Sequence, residues 1–254
     1  MMTVIDKGDN TMAEDMNKNE KYTDDVGELL KNELDMSFGD GGEISRPDVS
    51  PAVIKRLPKY FRYLRQLIRE GKTRVSSAEL SRMMSLTASQ IRQDLNCFGG
   101  FGQQGYGYNV NYLYSKICEI LGVSCGFRAA IIGTGNLGKA LVRNPMFEKR
   151  GVDVVALFDT SAAVIGQSIA GLTVYSMSEL ERVIEQTGVD IAILTLPKTY
   201  ANEVVERLGK TRVLGIWNFT GKELDTSESH IAVEDVHLGD SLMALCYEIA
   251  KTKK

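Results

Sequence analysis

Between residues 51 and 69 the apolar side chains Val53, Leu57, Tyr60, Leu64 and Ile68 recur at helical spacing, with Ile54, Phe61 and Leu67 beside them. Pro58 interrupts this pattern and predicts a kink or a second helical segment, because its ring lacks the N–H and crowds the preceding turn. Gly71 ends the run. Ser76 or Ser77 can cap a short helix over 78–84, and Glu79 stands three residues past Ser76, the spacing of a reciprocal cap. After Ser85 and Leu86, Thr87 can cap a third helix over 88–96, with Gln90 as its partner. Helix, short helix, tight turn and helix is the order of a helix-turn-helix. From Phe98 to Tyr108 glycines alternate with aromatic residues, which suits a tight hairpin and the wing of a winged helix.

The second half reads differently. A short apolar run over 128–132 leads directly into Gly133-Thr134-Gly135-Asn136-Leu137-Gly138, followed by a helix-like stretch over 139–147. A second apolar strand over 152–158 ends in Asp159, 21 residues after Gly138. The pattern then predicts a helix over 177–187, a strand over 190–196, a helix over 200–208 and a strand over 213–217. Such alternation specifies a parallel, doubly wound sheet of the Rossmann type, so the fold class is α/β behind an N-terminal winged helix. A last apolar helix over 240–251 carries Leu242, Leu245, Cys246 and Ile249. It can pack on its own domain or on a partner subunit, and periodicity leaves both open.

Charge sharpens this division. The chain of 254 residues has a net charge of −3, but residues 1–45 hold 12 acidic and 4 basic side chains, while residues 46–125 hold 12 basic and 5 acidic. The basic middle segment is the part able to attract a polyanion. The first 45 residues read as a disordered acidic arm, with a short amphipathic stretch over 26–36 (Leu29, Leu30, Leu34) that could fold on a partner. The expected divisions are 1–45 for the arm, 46–125 for the winged helix, 126–238 for the sheet domain and 239–254 for the last helix. Four scattered cysteines and two histidines cannot easily assemble a zinc site, so no metal is expected and the thiols read as reduced and mostly buried. No apolar run approaches the ~18–20 residues of a membrane span, and no secretory signal is expected, since residues 1–10 carry no basic patch followed by an apolar core. A cytoplasmic location without membrane contact is expected.

On the third helix Ala88, Ile91 and Leu95 must pack inward, leaving Ser89, Gln90, Arg92, Gln93 and Asn96 outside. Arg, Gln and Asn can pair with guanine and adenine edges, and Ser can hold phosphates, so double-stranded DNA is the expected partner. The strand, glycine turn, helix, strand and terminal acid point to a dinucleotide. Gly133, Thr134, Gly135, Asn136, Leu137 and Gly138 would let the backbone approach a pyrophosphate at the helix N-terminus. Asp159 would accept hydrogen bonds from a ribose and repel a 2′-phosphate, which favours NAD(H) over NADP(H). Pro197, Asn218, Phe219 and Thr220 follow strand ends and are candidates to line the same pocket.

A winged helix joined to a dinucleotide fold resembles the Rex family of redox-sensing bacterial repressors. The resemblance runs from Arg56 to about Ala250. It rests on Arg56-Leu57-Pro58, Val75-Ser76-Ser77, Gln90-Ile91-Arg92 with Asp94-Leu95, Phe98-Gly99 through Gly107-Tyr108, the glycine turn, Phe158-Asp159 and Asn218-Phe219. It implies a homodimer that exchanges its C-terminal helix, repression of genes for NADH reoxidation and fermentation, and release from DNA on binding NADH. It also adds Arg56, Tyr60, Ser76, Ser77, Gly105 and Tyr106 to the expected DNA contacts. The chain departs from the family pattern at Gln93, where a lysine is usual, at Asn144, where a tyrosine is usual, and at His237, where an aspartate is usual. The last two positions belong to the family's redox switch. Two other readings compete: an NAD-dependent oxidoreductase using Lys198 as acid or base, and a coenzyme A-binding regulator. Coenzyme A carries a 3′-phosphate where Asp159 favours a free diol.

Overall fold

The computed structural model describes residues 49–97, 102–103, 106–227 and 229–252, and its compact units divide between Gly122 and Val123. The acidic arm with its 26–36 stretch, Gly105 and most of the expected 98–105 segment lie outside the described residues. Pro58 begins a second helix, as its missing N–H favours: α1 is Pro51–Ile54 and α2 is Leu57–Arg69 with Pro58 in its first turn. A two-residue strand β1 (Arg74–Val75) precedes α3 (Ser77–Met84) and α4 (Ala88–Asn96). Between these two helices Ser85 takes a left-handed φ of 54°, and Ser81 Oγ donates to Leu86 O at 2.6 Å.

Strands β2 (Gly102–Gln103) and β3 (Gly107–Asn109) pair antiparallel, and β1 joins them in the order β1-β3-β2. Gly107 is required there, since φ is +71° and an added Cβ would lie 2.7 Å from Val75 O. A further helix, α5 (Val110–Leu121), was not expected from the sequence. Asn109 caps it by accepting from Tyr112 N at 3.0 Å. Its Leu113 and Ile117 are fully buried, and Tyr114 stacks on Phe61 with ring centroids 5.1 Å apart.

The second unit is a seven-stranded sheet. Its strands are β4 (Phe127–Ile132), β5 (Val152–Asp159), β6 (Ser168–Ile169), β7 (Leu172–Ser176), β8 (Ile191–Leu194), β9 (Gly215–Asn218) and β10 (Ala232–Asp235). The order is β10-β9-β8-β4-β5-β7-β6, parallel throughout except for β6 against β7. Helices α6 (Asn136–Val142), α7 (Leu180–Thr187) and α8 (Ala201–Leu208) connect the strands. Ala129 to Ile132 are buried to 1% exposure or less, as expected of a central strand covered on both faces.

Two boundaries differ from expectation for physical reasons. Helix α6 starts at Asn136, inside the glycine turn, because Gly135 serves as its N-cap; it stops before Asn144-Pro145, whose proline disfavours a helical residue before it. The half-exposed β7 and exposed β10 lack the continuous apolar run that marks a central strand. The last helix, α9 (Leu238–Thr252), buries none of its residues on its own chain. Leu242 is 61% and Leu245 54% exposed, so its apolar side lies uncovered among the described residues. The thiols also correct the sequence expectation. Only Cys118 is buried, its thiol pushed up to about 12 by burial, while Cys97, Cys125 and Cys246 are exposed. Among the described residues, no helix is long and apolar enough to cross a membrane and no cluster suits a metal.

Candidate functional site

The caps of the two central helices, α3 and α4, fix the middle of the first unit. Ser76 Oγ accepts from Glu79 N at 3.1 Å and Glu79 Oε2 accepts from Ser76 N at 2.9 Å, which closes the expected reciprocal cap. Ser76 Oγ also donates to Glu79 Oε2 at 3.0 Å, so this hydroxyl is committed to the helix end. Thr87 Oγ1 accepts from Gln90 N at 3.1 Å, but the Gln90 side chain does not return to the cap. It reaches Asp94 instead, where Nε2 donates to Oδ1 at 2.8 Å.

Asp94 gathers three of the expected DNA contacts from below. Arg56 donates from Nε and Nη2, both at 2.7 Å, and Tyr60 donates its hydroxyl at 3.0 Å. Burial opposes the charge on Asp94, yet hydrogen bonds from Arg56, Gln90 and Tyr60 outweigh it and hold the carboxyl below its ordinary range. Tyr60 is a correction: it is fully buried, with its phenol pushed up by burial and by Asp94, and it ties α2 to α4 rather than facing a nucleic acid. Because folding lowers the Asp94 pKa, its contribution is fully present above about pH 4 and is lost as pH falls through the folded value. Thermal melts of the wild type and Asp94→Asn should therefore converge in acid and separate above pH 4. A constant gap at every pH would contradict this.

Ser89, Arg92, Gln93 and Asn96 are exposed on α4, as the helical spacing predicts. Arg92 Nη1 donates to Ser77 Oγ at 3.2 Å, joining α4 to the start of α3. Arg74 Nη1 donates to Tyr106 O at 3.2 Å and its guanidinium lies 5.9 Å from the Tyr106 ring centre, which places a 68% exposed tyrosine beside a cation. Where Arg92 contacts a guanine, Arg92→Ala is expected to cost about 1–3 kcal/mol on cognate DNA and to relax choice at one base pair. Competition binding checks this, and an equal loss on random DNA would show a phosphate contact only.

In the second unit, a cleft of about 540 Å³ opens at the carboxyl ends of β4, β5 and β8, where the strand order reverses. Ile132, Gly133, Gly135, Asp159, Thr160 and Pro197 line it, four of them expected. Gly133 has φ +100°, and an added Cβ would meet Thr195 O at 2.8 Å. Gly138 packs so closely that a Cβ would fall 2.1 Å from Gly133 O, whereas a Cβ on Gly135 would meet only open space. Asp159 is already engaged: Oδ2 accepts from Thr134 N at 2.7 Å and Thr134 Oγ1 at 2.6 Å, and Oδ1 accepts from Ser161 N at 2.9 Å. Burial works against its charge, but these bonds, with help from Thr160 N–H, hold the carboxyl below its ordinary range.

Other expected residues fall elsewhere. Asn218 is buried and satisfied: Nδ2 donates to Lys222 O and to Asp235 Oδ1, while Oδ1 accepts from Thr220 N and Oγ1. It holds the end of β9 to β10 and is not part of the cleft wall. Phe219 packs edge-on against Trp217 at 4.6 Å, and Lys198 is exposed and outside that wall. Asn144 and His237 are both exposed; Asn144 Oδ1 accepts from Met146 N at 2.9 Å. The sequence reading missed Thr195, whose hydroxyl donates to Gly133 O at 2.6 Å, and the Met177, Tyr200, Glu203 and Arg207 side of the cleft. Arg207 is fixed there by a two-point pair with Glu181, both contacts 2.7 Å.

Residues 48–96 match the family described as "Putative DNA-binding protein N-terminus", and residues 127–221 match the one described as "CoA binding domain". The redox-sensing transcriptional repressor Rex of Clostridium beijerinckii is 46% identical over 200 residues, spanning 79% of this chain and 94% of that protein. The chain belongs to the Rex family of redox-sensing transcriptional repressors. Rex of Caldicellulosiruptor saccharolyticus is 45% identical over 204 residues, 80% of this chain and 93% of its own. RSP, a Rex-family repressor solved with beta-NAD+ and operator DNA, superposes with a TM-score of 0.75 at 43% identity, covering 81% of this chain and 94% of that one. RSP in complex with beta-NADH gives 0.75 at 40% identity, covering 81% and 96%.

Proposed function

We propose that this Rex-family chain represses transcription by holding operator DNA with its winged helix and leaves the DNA when NADH occupies the glycine-turn cleft. The observation that carries this reading is the cleft itself, built where a dinucleotide fold needs it and in the same chain as an exposed Arg92-bearing reading helix. The residues fit the ligand. Gly135 leaves room for a phosphate at the backbone, and Asp159 ends β5 where an adenosine ribose would lie. A ribose diol would take the remaining acceptor capacity of Asp159 or displace the Thr134 hydroxyl. The bound nicotinamide supplies the redox signal; the chain supplies the turn, the carboxylate and the apolar wall.

The site residues we assign are Ser77, Ser89, Gln90, Arg92, Gln93, Asn96 and Tyr106 for DNA, with Arg56 as a phosphate contact. Gly133, Thr134, Gly135, Asn136, Leu137, Gly138, Asp159 and Pro197 serve the dinucleotide. The uncovered apolar side of α9 favours a homodimer, since Leu242, Leu245 and Ile249 gain nothing from solvent. Regulation rather than catalysis is the reading we adopt; Lys198, the acid or base on which the oxidoreductase reading relied, lies outside the cleft wall. Coenzyme A remains a second reading because residues 127–221 match the family so described, but Asp159 and Glu203 on the cleft wall oppose a phosphorylated ribose. Titration calorimetry with NADH, NADPH and coenzyme A separates them: NADH should bind tightest, and preference for coenzyme A would overturn the assignment.

A further inference from the structure

Asp94 is a carboxylate on the inner side of the reading helix, 1% exposed and out of reach of any base or phosphate. Two of its three partners nevertheless keep an unused edge. Arg56 spends Nε and Nη2 on Asp94, its Nη1 has no partner among the described residues, and its side chain is 27% exposed. Gln90 spends one amide hydrogen on Asp94 and keeps Oε1 and the other hydrogen. The amide of a glutamine can flip, exchanging oxygen for nitrogen, but a carboxylate accepts only from the nitrogen. An ionised Asp94 therefore selects one of the two amide orientations, and Tyr60 fixes the carboxylate from behind at 3.0 Å.

We propose that Asp94 is the positioning residue for operator reading: it sets the Gln90 amide so that Oε1 and one N–H face a base edge, and it holds Arg56 with Nη1 toward a backbone phosphate. This rests on the DNA-reading function proposed above. An oxygen and an N–H side by side match the edge of adenine, so the chemistry read at this position is an A·T pair. A neutral asparagine at 94 offers either a donor or an acceptor to Gln90, and the selection of one orientation is lost.

A scaffold and a positioning residue predict different results. Loss of a scaffold lowers the folded fraction and weakens all DNA alike. Loss of positioning lowers the selected-to-scrambled ratio: freeing the Gln90 amide weakens cognate DNA alone, while a loss at the Arg56 phosphate contact falls on both duplexes alike and is opposed by removal of a buried negative charge beside a polyanion. The test uses the full chain, a duplex that the unaltered protein selects from a random pool, and a scrambled duplex of the same composition. With folding matched by circular dichroism, Asp94→Asn should lower the selected-to-scrambled affinity ratio roughly tenfold, as should Gln90→Ala. The double variant should fall no more than about twofold below Asp94→Asn, because the two act as one unit. Equal losses on both duplexes, or losses that fully multiply, would overturn the proposal. Should Asp94→Asn not fold, Gln90→Ala alone decides: relaxed choice at one A·T pair supports the proposal, and unchanged selectivity overturns it. If the unaltered protein selects no sequence, the DNA-reading function itself fails and takes the proposal with it.

Discussion

Gly133→Ala is expected to abolish dinucleotide binding and to destabilise the second unit, whereas Gly135→Ala should lose binding alone. At Gly133 two penalties coincide. A φ of +100° is rarely open to a residue with a Cβ, and that Cβ would stand 2.8–3.0 Å from the backbone of Thr195 and Leu196. Strain of about 1–3 kcal/mol from the backbone and about 1–3 kcal/mol from overpacking add at one place. The neighbours are backbone atoms at the end of β8, so relief requires moving the strand end that Thr195 pins to the turn. Gly135 differs, with an added Cβ meeting nothing within 4 Å. The open space is where a phosphate would approach the backbone, so the methyl group blocks the ligand and leaves the fold alone. Thermal melting with titration calorimetry on both variants checks the contrast. Normal NADH binding by Gly135→Ala would place the pyrophosphate elsewhere.

Asp159→Ala is expected to weaken NAD(H) binding by roughly 10- to 100-fold and to narrow the preference over NADP(H). Hydrogen bonds to an ionised group contribute about 1.5–3 kcal/mol, and the ribose diol would lose its acceptor. Removing the carboxylate also frees the N–H and hydroxyl of Thr134 and the N–H of Ser161, which hold the glycine turn in shape. NADPH affinity should fall less than NADH affinity, because repulsion of the 2′-phosphate disappears with the charge. Affinities unchanged for both dinucleotides would remove Asp159 from the site.

What the sequence revealed follows from how local each signal is. The caps at Ser76 and Thr87, the start at Pro58 and the glycine turn are set by residues within a few positions, and the structure has them in place. The inward turn of Gln90 was hidden because Asp94 also collects Arg56 and Tyr60 from 38 and 34 residues away. Asn218 looked like a pocket residue by its place after a strand, but its amide is spent on Asp235 of the adjacent strand. The α8 side of the cleft escaped because Tyr200, Glu203 and Arg207 read simply as the polar face of an amphipathic helix. Exposure of Cys97, Cys125 and Cys246 follows from element ends and an uncovered helix, which composition does not reveal.

In the function proposed above, one chain couples a DNA-reading helix to a dinucleotide cleft. NAD+ and NADH differ by a positive charge on the ring, and only groups that meet the two forms unequally can sense it. The family pattern implies a redox switch at positions 144 and 237; with Asn144 and His237 there in place of the usual tyrosine and aspartate, NAD+ is expected to compete weakly with NADH. Fluorescence anisotropy of the selected duplex, titrated with NADH against fixed NAD+, tests this directly. NADH is expected to release the DNA, with NAD+ opposing it weakly. A complex that stays intact at every NADH/NAD+ ratio would contradict it.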